Sequence, residues 1–353
     1  MKLFKSISCL CLVVGLLVFM TGCPSTSDKG NPEPRVMYNF AYFDTVSQVI
    51  TYAGDSDEVF EKNHKEVFEI LSKYHQLFDI YHEYSGVTNL CTLNKNAGGE
   101  AMMVEPELIE FLLYAKELYT LTGGEMNVMM GAVLRIWHDA RTTASDSPSK
   151  AYVPEMDKLT EANKHTSIDL LEIDVENSTV RITDPKASID VGALGKGYAT
   201  ELAAKHLEEK GVTSYVLNIG GNIRIIGTKP DGTGWKTGVT NPRGEGYAKY
   251  INIANISCVT SGDYERYYTV DGVRYHHIID KDTLMPSDYF SSITILTSNS
   301  GLADALSTAL FSMSLEDGQA LLEKIDLDVE VLWIDKDGNQ YTTEGFGKYA
   351  TEK

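Results

Sequence analysis

Read for apolar and polar periodicity, the chain alternates between short strand patterns and amphipathic helical ones. Residues 45–52 (TVSQVITY) carry the two-residue period of a strand, whereas 56–78 set Val59, Phe60, Val67, Phe68, Ile70 and Leu71 at helical spacing. Ser56, followed by Asp57 and Glu58, supplies an N-cap for that helix. A second helix is predicted at 108–119, stopped by Gly123-Gly124, and a third, largely apolar one at 126–137. Residues 142–150, with Ser, Asp and Pro, read as a loop, 168–182 as short strands turning near Glu176-Asn177, and 199–210 as a helix ended by Gly211. Residues 215–226 (YVLNIGGNIRII) read as a strand or strand pair broken by two glycines. Further strands are predicted at 235–240, 248–256, 264–270, 291–296 and 329–335, with helices at 301–313 and 315–324. The mixture lacks the regular alternation of a doubly wound sheet, which predicts an α+β fold in one compact domain over 36–353.

The first 35 residues do not fit that pattern. Lys2 and Lys5 precede an apolar run from Ile7 to Met20, too short for a comfortable membrane span, followed by Thr21-Gly22-Cys23. Small residues before a Cys resemble a bacterial lipobox, so 1–22 is expected to be a lipoprotein signal, Cys23 the lipid attachment point and 23–35 a flexible tether. That arrangement places the protein on the outer face of a bacterial cell membrane.

Composition bounds the partners. The 353 residues include 31 Lys+Arg and 50 Asp+Glu, a net charge of −19. So acidic a chain is a poor match for nucleic acid or for an anionic lipid surface. Of five cysteines, only Cys91 and Cys258 lie beyond the lipobox. They fit either a disulfide outside the cytoplasm or two buried thiols.

Familiar catalytic signatures are missing: there is no phosphate-binding G-x-x-x-x-G-K-[ST], no G-x-S-x-G and no H-E-x-x-H. Four clusters stand out instead. Asp190-Val-Gly-Ala-Leu-Gly-Lys196-Gly places three glycines and a lysine before a helix, where backbone amides favour an anion; a tight turn with a solvated lysine fits the local pattern equally. Gly220-Gly221 interrupts a strand, as a bulge or a close backbone approach does. Residues 260–264 and 275–280 bring His276 and His277, of which one could act as a general base, although a lone histidine is more often structural. Asp304 and Thr308 share one helical face and offer hard oxygen ligands suited to Mg²⁺, although on this cluster alone Asp304 reads better as a helix N-terminal charge.

In this order, ASIDVGALGKGYAT, LNIGGNIRIIG, VTSGDYERYY, HHIID and ADALSTALF resemble the ApbE family, the FAD:protein FMN transferases. Weaker matches are FDT (43–45), the stretch from Tyr81 ending in TLN, and LTGGEMNVMMGAVLRIW. The resemblance implies an α+β architecture similar to the tunnelling fold. It implies an enzyme that binds FAD and Mg²⁺, splits the diphosphate, attaches FMN to a Ser/Thr hydroxyl of a membrane or extracytoplasmic redox protein, and releases AMP. The implied acceptor motif is Asp-Gly-x-Ser/Thr-Gly-Ala-Thr-like.

Carried residue by residue, the resemblance puts metal ligands at Ala193 (through its carbonyl), Asp304 and Thr308, with Ser307 nearby. It puts FAD contacts at Phe43, Tyr81, Glu125, Met126, Asn127, Asp190, Lys196 and Ile278, and a base at His277. The sequence departs from the family at 43–45, at Glu125-Met126-Asn127 and at Lys281-Asp282-Thr283-Leu284, which bear on the flavin pocket more than on the metal ligands. Two other outcomes are compatible with the same motifs: an Mg²⁺-dependent FAD pyrophosphatase and a non-catalytic FAD-binding lipoprotein.

Overall fold

The computed structural model describes residues 33–52, 54–325 and 327–352; the signal segment, Cys23 and most of the tether lie outside them. Eight strands form the central sheet: β1 (Arg35–Asn39), β2 (Ser47–Thr51), β3 (Tyr215–Ile219), β4 (Asn222–Ile226), β5 (Ser257–Gly262), β6 (Phe290–Thr297), β7 (Val329–Asp335) and β8 (Gln340–Thr342). Their order across the sheet is their order along the chain, and every neighbouring pair is antiparallel. The β2–β3 connection carries six helices: α1 (Asp57–Phe78), α2 (Leu90–Lys95), α3 (Pro106–Leu121), α4 (Gly131–Asp146), α5 (Met156–Asn163) and α6 (Gly195–Glu209). Between β6 and β7 lie α7 (Ser300–Phe311) and α8 (Leu315–Lys324).

Strand periodicity explains why the sheet is buried on both faces. Val49, Leu217, Val259, Ile293, Ile295, Val331 and Trp333 face a large core with α1, α3, α6 and α7. Their alternating neighbours Ile50, Val216, Cys258, Leu296, Leu332 and Ile334 pack with Trp235, Val239 and Ile251 of a small three-stranded sheet. A third core joins Met130, Val133, Trp137 and Ala140 of α4 to Tyr268 and Leu284, beside the hairpin Tyr267–Val270/Val273–His276.

Several elements follow the sequence expectation closely. Ser56 caps α1, its hydroxyl accepting from the Val59 amide at 3.3 Å. Others are corrected. Residues 126–130 are a turn, and α4 begins only at Gly131 and runs to Asp146, into the first half of the stretch read as a loop. Pro148 bars continuation only beyond it, and Ala140, Thr142, Thr143 and Ala144 tolerate helix. Gly220 and Gly221, with φ of 58° and 92°, form the two-residue turn of the β3–β4 hairpin rather than a bulge. Helix α6 starts four residues early, with Gly195 and Gly197 inside its first turn. Cys91 and Cys258 are both buried free thiols, resolving that alternative.

Candidate functional site

The start of α6 and the middle of α7 meet at Gly197. A Cβ there would stand 2.3 Å from the Ser300 carbonyl oxygen and 2.5 Å from the Asp304 Cβ, so only glycine permits this approach. Its amide donates to Asp304 Oδ2 at 2.8 Å. In a helix extended one residue further back, that amide would bond the Ala193 carbonyl; its diversion leaves the carbonyl without an intrahelical donor. Asp304 is buried in α7, with Lys196 Nζ 3.9 Å from its other oxygen. Thr308 follows one turn later and is half-buried. Ser307 hydrogen-bonds Ser261 of β5 at 2.7 Å and the Asp304 carbonyl at 2.8 Å, which ties α7 to the sheet. Buried Glu201 fixes the crossing from behind, accepting from the Ser300 amide at 2.8 Å and from Arg224 at 3.3 Å.

The other half of the site comes from α4, the 267–276 hairpin and the ends of α1 and α2. His277 is half-buried, and its Nδ1 meets the Arg266 carbonyl at 3.2 Å. A carbonyl only accepts, so Nδ1 carries the proton and Nε2 keeps its lone pair. Burial, then the charges of Arg266 and Arg141, hold this imidazole well below its usual pKa, so it is neutral at pH 7. The adjacent His276 is a structural residue: buried, it donates from Nε2 to the Ser287 carbonyl at 2.8 Å and accepts the Ile278 amide at Nδ1.

Tyr81 is placed by Asp79, whose Oδ1 accepts the Tyr81 and His82 amides at 2.7 and 3.0 Å. The Tyr81 ring lies 5.2 Å from that of His138, with its hydroxyl 3.2 Å from His138 Nδ1. Asp190 is held by Asn94, whose amide clamps both backbone groups of Ile189 at 2.7 and 2.9 Å, and by its own amide donating to the Val128 carbonyl. Burial raises its carboxyl pKa, against the Gly192 amide and the nearby charges of His138, Arg141 and Arg266.

The remaining expected contacts stand differently. The Met126 and Ile278 side chains are 1% and 4% exposed and face the core, leaving them no side-chain surface for a ligand. The Asn127 amide is consumed by the Thr166 carbonyl and the Met129 amide. Glu125 pairs with Lys281 at 3.2 Å. Phe43, at φ 57°, packs edge-on to His75 and joins Asp79 only through His75 and Tyr84. Sequence reading passed over His138, Arg141 and Arg266. The signal for the first two was the i, i+3 pair directly after the motif ending in Trp137, hidden because the helix was read as ending at residue 137.

Among the described residues no cluster of three His, Cys, Asp or Glu forms a metal cage. The oxygen set around Asp304 is of the kind that takes a hard cation with positions left for a ligand.

Comparison with known proteins places this geometry. The ApbE family model matches residues 43–333. The chain is similar to the FAD:protein FMN transferase of Vibrio cholerae, 28% identical over 341 residues, which is 95% of this chain and 94% of the relative. It is also similar to the Treponema pallidum protein of the same name, 30% identical over 288 residues and 76% of each chain. Among solved structures, the ApbE protein of Thermotoga maritima superposes with a TM-score of 0.79 at 28% identity, covering 91% of this chain and 100% of that one. The flavin transferase ApbE from Vibrio cholerae gives 0.75 at 25%, covering 90% and 99%.

Proposed function

The chain belongs to the ApbE family, and from that premise we propose that it is an FAD:protein FMN transferase. The observation that carries this reading is the α6–α7 junction, where Asp304, the freed Ala193 carbonyl and Thr308 offer hard oxygen donors beside Lys196 and a helix start. These donors fit Mg²⁺. Bound there, the ion would supply charge neutralisation on the FAD diphosphate and on the departing AMP.

The protein's own groups do the rest. Lys196 and the first turn of α6 attract the diphosphate. His277 Nε2 takes the proton of the acceptor hydroxyl, while the Arg266 carbonyl fixes the ring's tautomer. The hydroxyl oxygen forms the new bond to the FMN phosphorus, the bridging P–O bond breaks, and its electron pair leaves with AMP.

The acceptor in this reading is a membrane or extracytoplasmic redox subunit bearing a flavinylation Ser/Thr. The enzyme works on the outer face of a bacterial membrane, anchored through Cys23; the order of lysines, apolar run, Thr-Gly-Cys and tether supports this. Purified protein mixed with FAD, Mg²⁺ and acceptor domains is expected to add to the acceptor the mass of one FMN less one water, with AMP released. No adduct on several such acceptors overturns the reading. Loss of membrane retention in Cys23→Ser tests the anchor, and unchanged retention overturns it.

A further inference from the structure

One carboxylate outside the expected ligand contacts gathers three cations. Asp263, buried just past the end of β5, accepts from Arg243 Nη1 at 2.8 Å, Arg243 Nη2 at 2.6 Å and Lys336 Nζ at 3.1 Å. Arg274 Nη1 stands 3.9 Å from the same carboxylate. The three come from three elements. Arg243 lies in the loop between strands Trp235–Thr240 and Tyr247–Ile253 of the small sheet, and Lys336, which also reaches Asp288 at 3.4 Å, directly follows β7. Arg274 belongs to the second strand of the 267–276 hairpin. A bidentate arginine on a buried acid fixes direction as well as distance. Burial alone would raise the Asp263 carboxyl pKa; the bonds from Arg243 and Lys336 outweigh it and hold the pKa below its usual value, so Asp263 is ionised at pH 7.

Two equal lengths of chain lead from this cluster to His277. Arg266, whose carbonyl meets His277 Nδ1 at 3.2 Å, lies three residues after Asp263. His277 lies three residues after Arg274. Next to that contact Tyr267 pairs with His276 in the hairpin register, and the Arg274 guanidinium sits 4.1 Å over the centre of the Tyr267 ring. The Asp263 amide donates to the Ser291 carbonyl of β6 at 3.1 Å, which ties the start of this segment to the central sheet. The Asp263 carboxylate therefore closes a ring that holds both partners of the Arg266–His277 contact. Among the described residues that contact is the one hydrogen bond of the His277 ring.

We propose that Asp263 is a positioning residue for His277: through Arg274 and the 263–266 segment it sets the orientation and tautomer of the imidazole that takes the acceptor proton. The role rests on the transferase reading and names a residue that touches neither the nucleotide nor the acceptor. Without the Asp263 charge, Arg243 and Arg274 lose their common anchor and the Arg266 carbonyl no longer holds the Nδ1 proton in place. Part of the imidazole then carries its proton on Nε2, and a protonated Nε2 has no lone pair to take a hydroxyl proton. The loss falls on the chemical step and spares FAD binding.

The test uses the full chain as Asp263→Asn, Asp263→Glu, Arg243→Gln and Arg274→Gln. Nitrogen NMR of histidine-labelled protein reads the His277 tautomer, assigned against His277→Ala, and transfer kinetics give kcat and KM for FAD. The parent should carry the proton on Nδ1. Asp263→Asn should mix the two tautomers and lower kcat by about 10- to 100-fold, with KM within about threefold. Asp263→Glu should recover part of both. Arg243→Gln and Arg274→Gln should move tautomer and kcat the same way, less far. Arg274 is exposed, so its variant keeps the fold and decides the matter where Asp263→Asn does not fold. A parental tautomer in every folded variant overturns the role, as does a fall in kcat with the tautomer unmoved. If the parent transfers FMN and the variants keep its tautomer, only the positioning role falls. If the parent transfers nothing while the tautomer still shifts in the variants, the positioning role stands and the transferase reading falls.

Discussion

Gly197→Ala concentrates the geometry of the site into one methyl group. The new Cβ would meet the Ser300 carbonyl oxygen at 2.3 Å and the Asp304 Cβ at 2.5 Å, both backbone or near-backbone atoms that cannot rotate away. Ordinary contact needs about 3.5 Å, so α6 and α7 must part by roughly 1 Å. Such overpacking costs about 1–3 kcal/mol. Parting also stretches the 2.8 Å bond from the Gly197 amide to the Asp304 carboxylate, a charged hydrogen bond worth about 1.5–3 kcal/mol. Alanine's better helix propensity returns about 1 kcal/mol. The net loss of about 2–5 kcal/mol leaves the protein folded but lowers Tm by about 3–7 °C. A metal-ligand carboxylate displaced by about 1 Å should cost about 100-fold in kcat. Calorimetry and FMN transfer, the latter read well below the variant's own Tm, measure both effects. A transition within about 2 °C of the parent, with transfer within about threefold, would refute the idea that this contact sets the site.

Four further outcomes follow from the same geometry. Asp304→Ala should abolish turnover while FAD still binds within about tenfold of the parent; undiminished turnover would remove Asp304 from the metal site, and a parent that binds FAD but never turns it over would make this a storage protein. His277→Ala should slow transfer by about 10²- to 10⁴-fold with FAD binding little changed, and equal losses in both would remove its role as base. Because the folded pKa of His277 lies below its usual 6.5, the unfolded chain binds this proton first. This imidazole therefore destabilises the fold only as pH drops below about 6.5, and transfer should persist below that pH in the parent; a midpoint above 6.5 contradicts the assignment. Glu201→Ala, which leaves buried Arg224 paired with Glu208 alone and removes the acceptor of the Ser300 amide, should cost about 1.5–3 kcal/mol in a denaturant titration, and a loss below about 0.5 kcal/mol would show that other contacts hold the crossing.

The periodic parts of this fold were readable because each strand's alternating residues answer to two different cores, as Val49 and Ile50 do. The oxygen pair proposed for the metal was readable for a similar reason: Asp304 and Thr308 lie on one helix, so their spacing alone places them together. What escaped depends on tertiary contact. Gly197 looked like loop glycine, and only the approach of Ser300 and Asp304 explains a glycine within the first helical turn. Tyr81 and His138 are 57 positions apart in sequence, and only tertiary contact brings their rings to 5.2 Å. Met126 and Asn127 carried a family position but were spent on the core and on a turn.

The sheet whose strand order copies the chain order sets a timetable for synthesis. All five residues of β2 are buried, yet β3, which covers one edge of it, begins 164 positions later. At about 5–20 residues per second, β2 is made roughly 8–33 s before its partner. During that interval only β1 is available to pair with it, and a lone two-stranded ribbon is marginal in water. The nascent chain therefore carries an unpaired β2 edge through nearly half of its production, and any factor that shields residues 47–51 in that interval would raise the yield of folded protein without touching the finished enzyme.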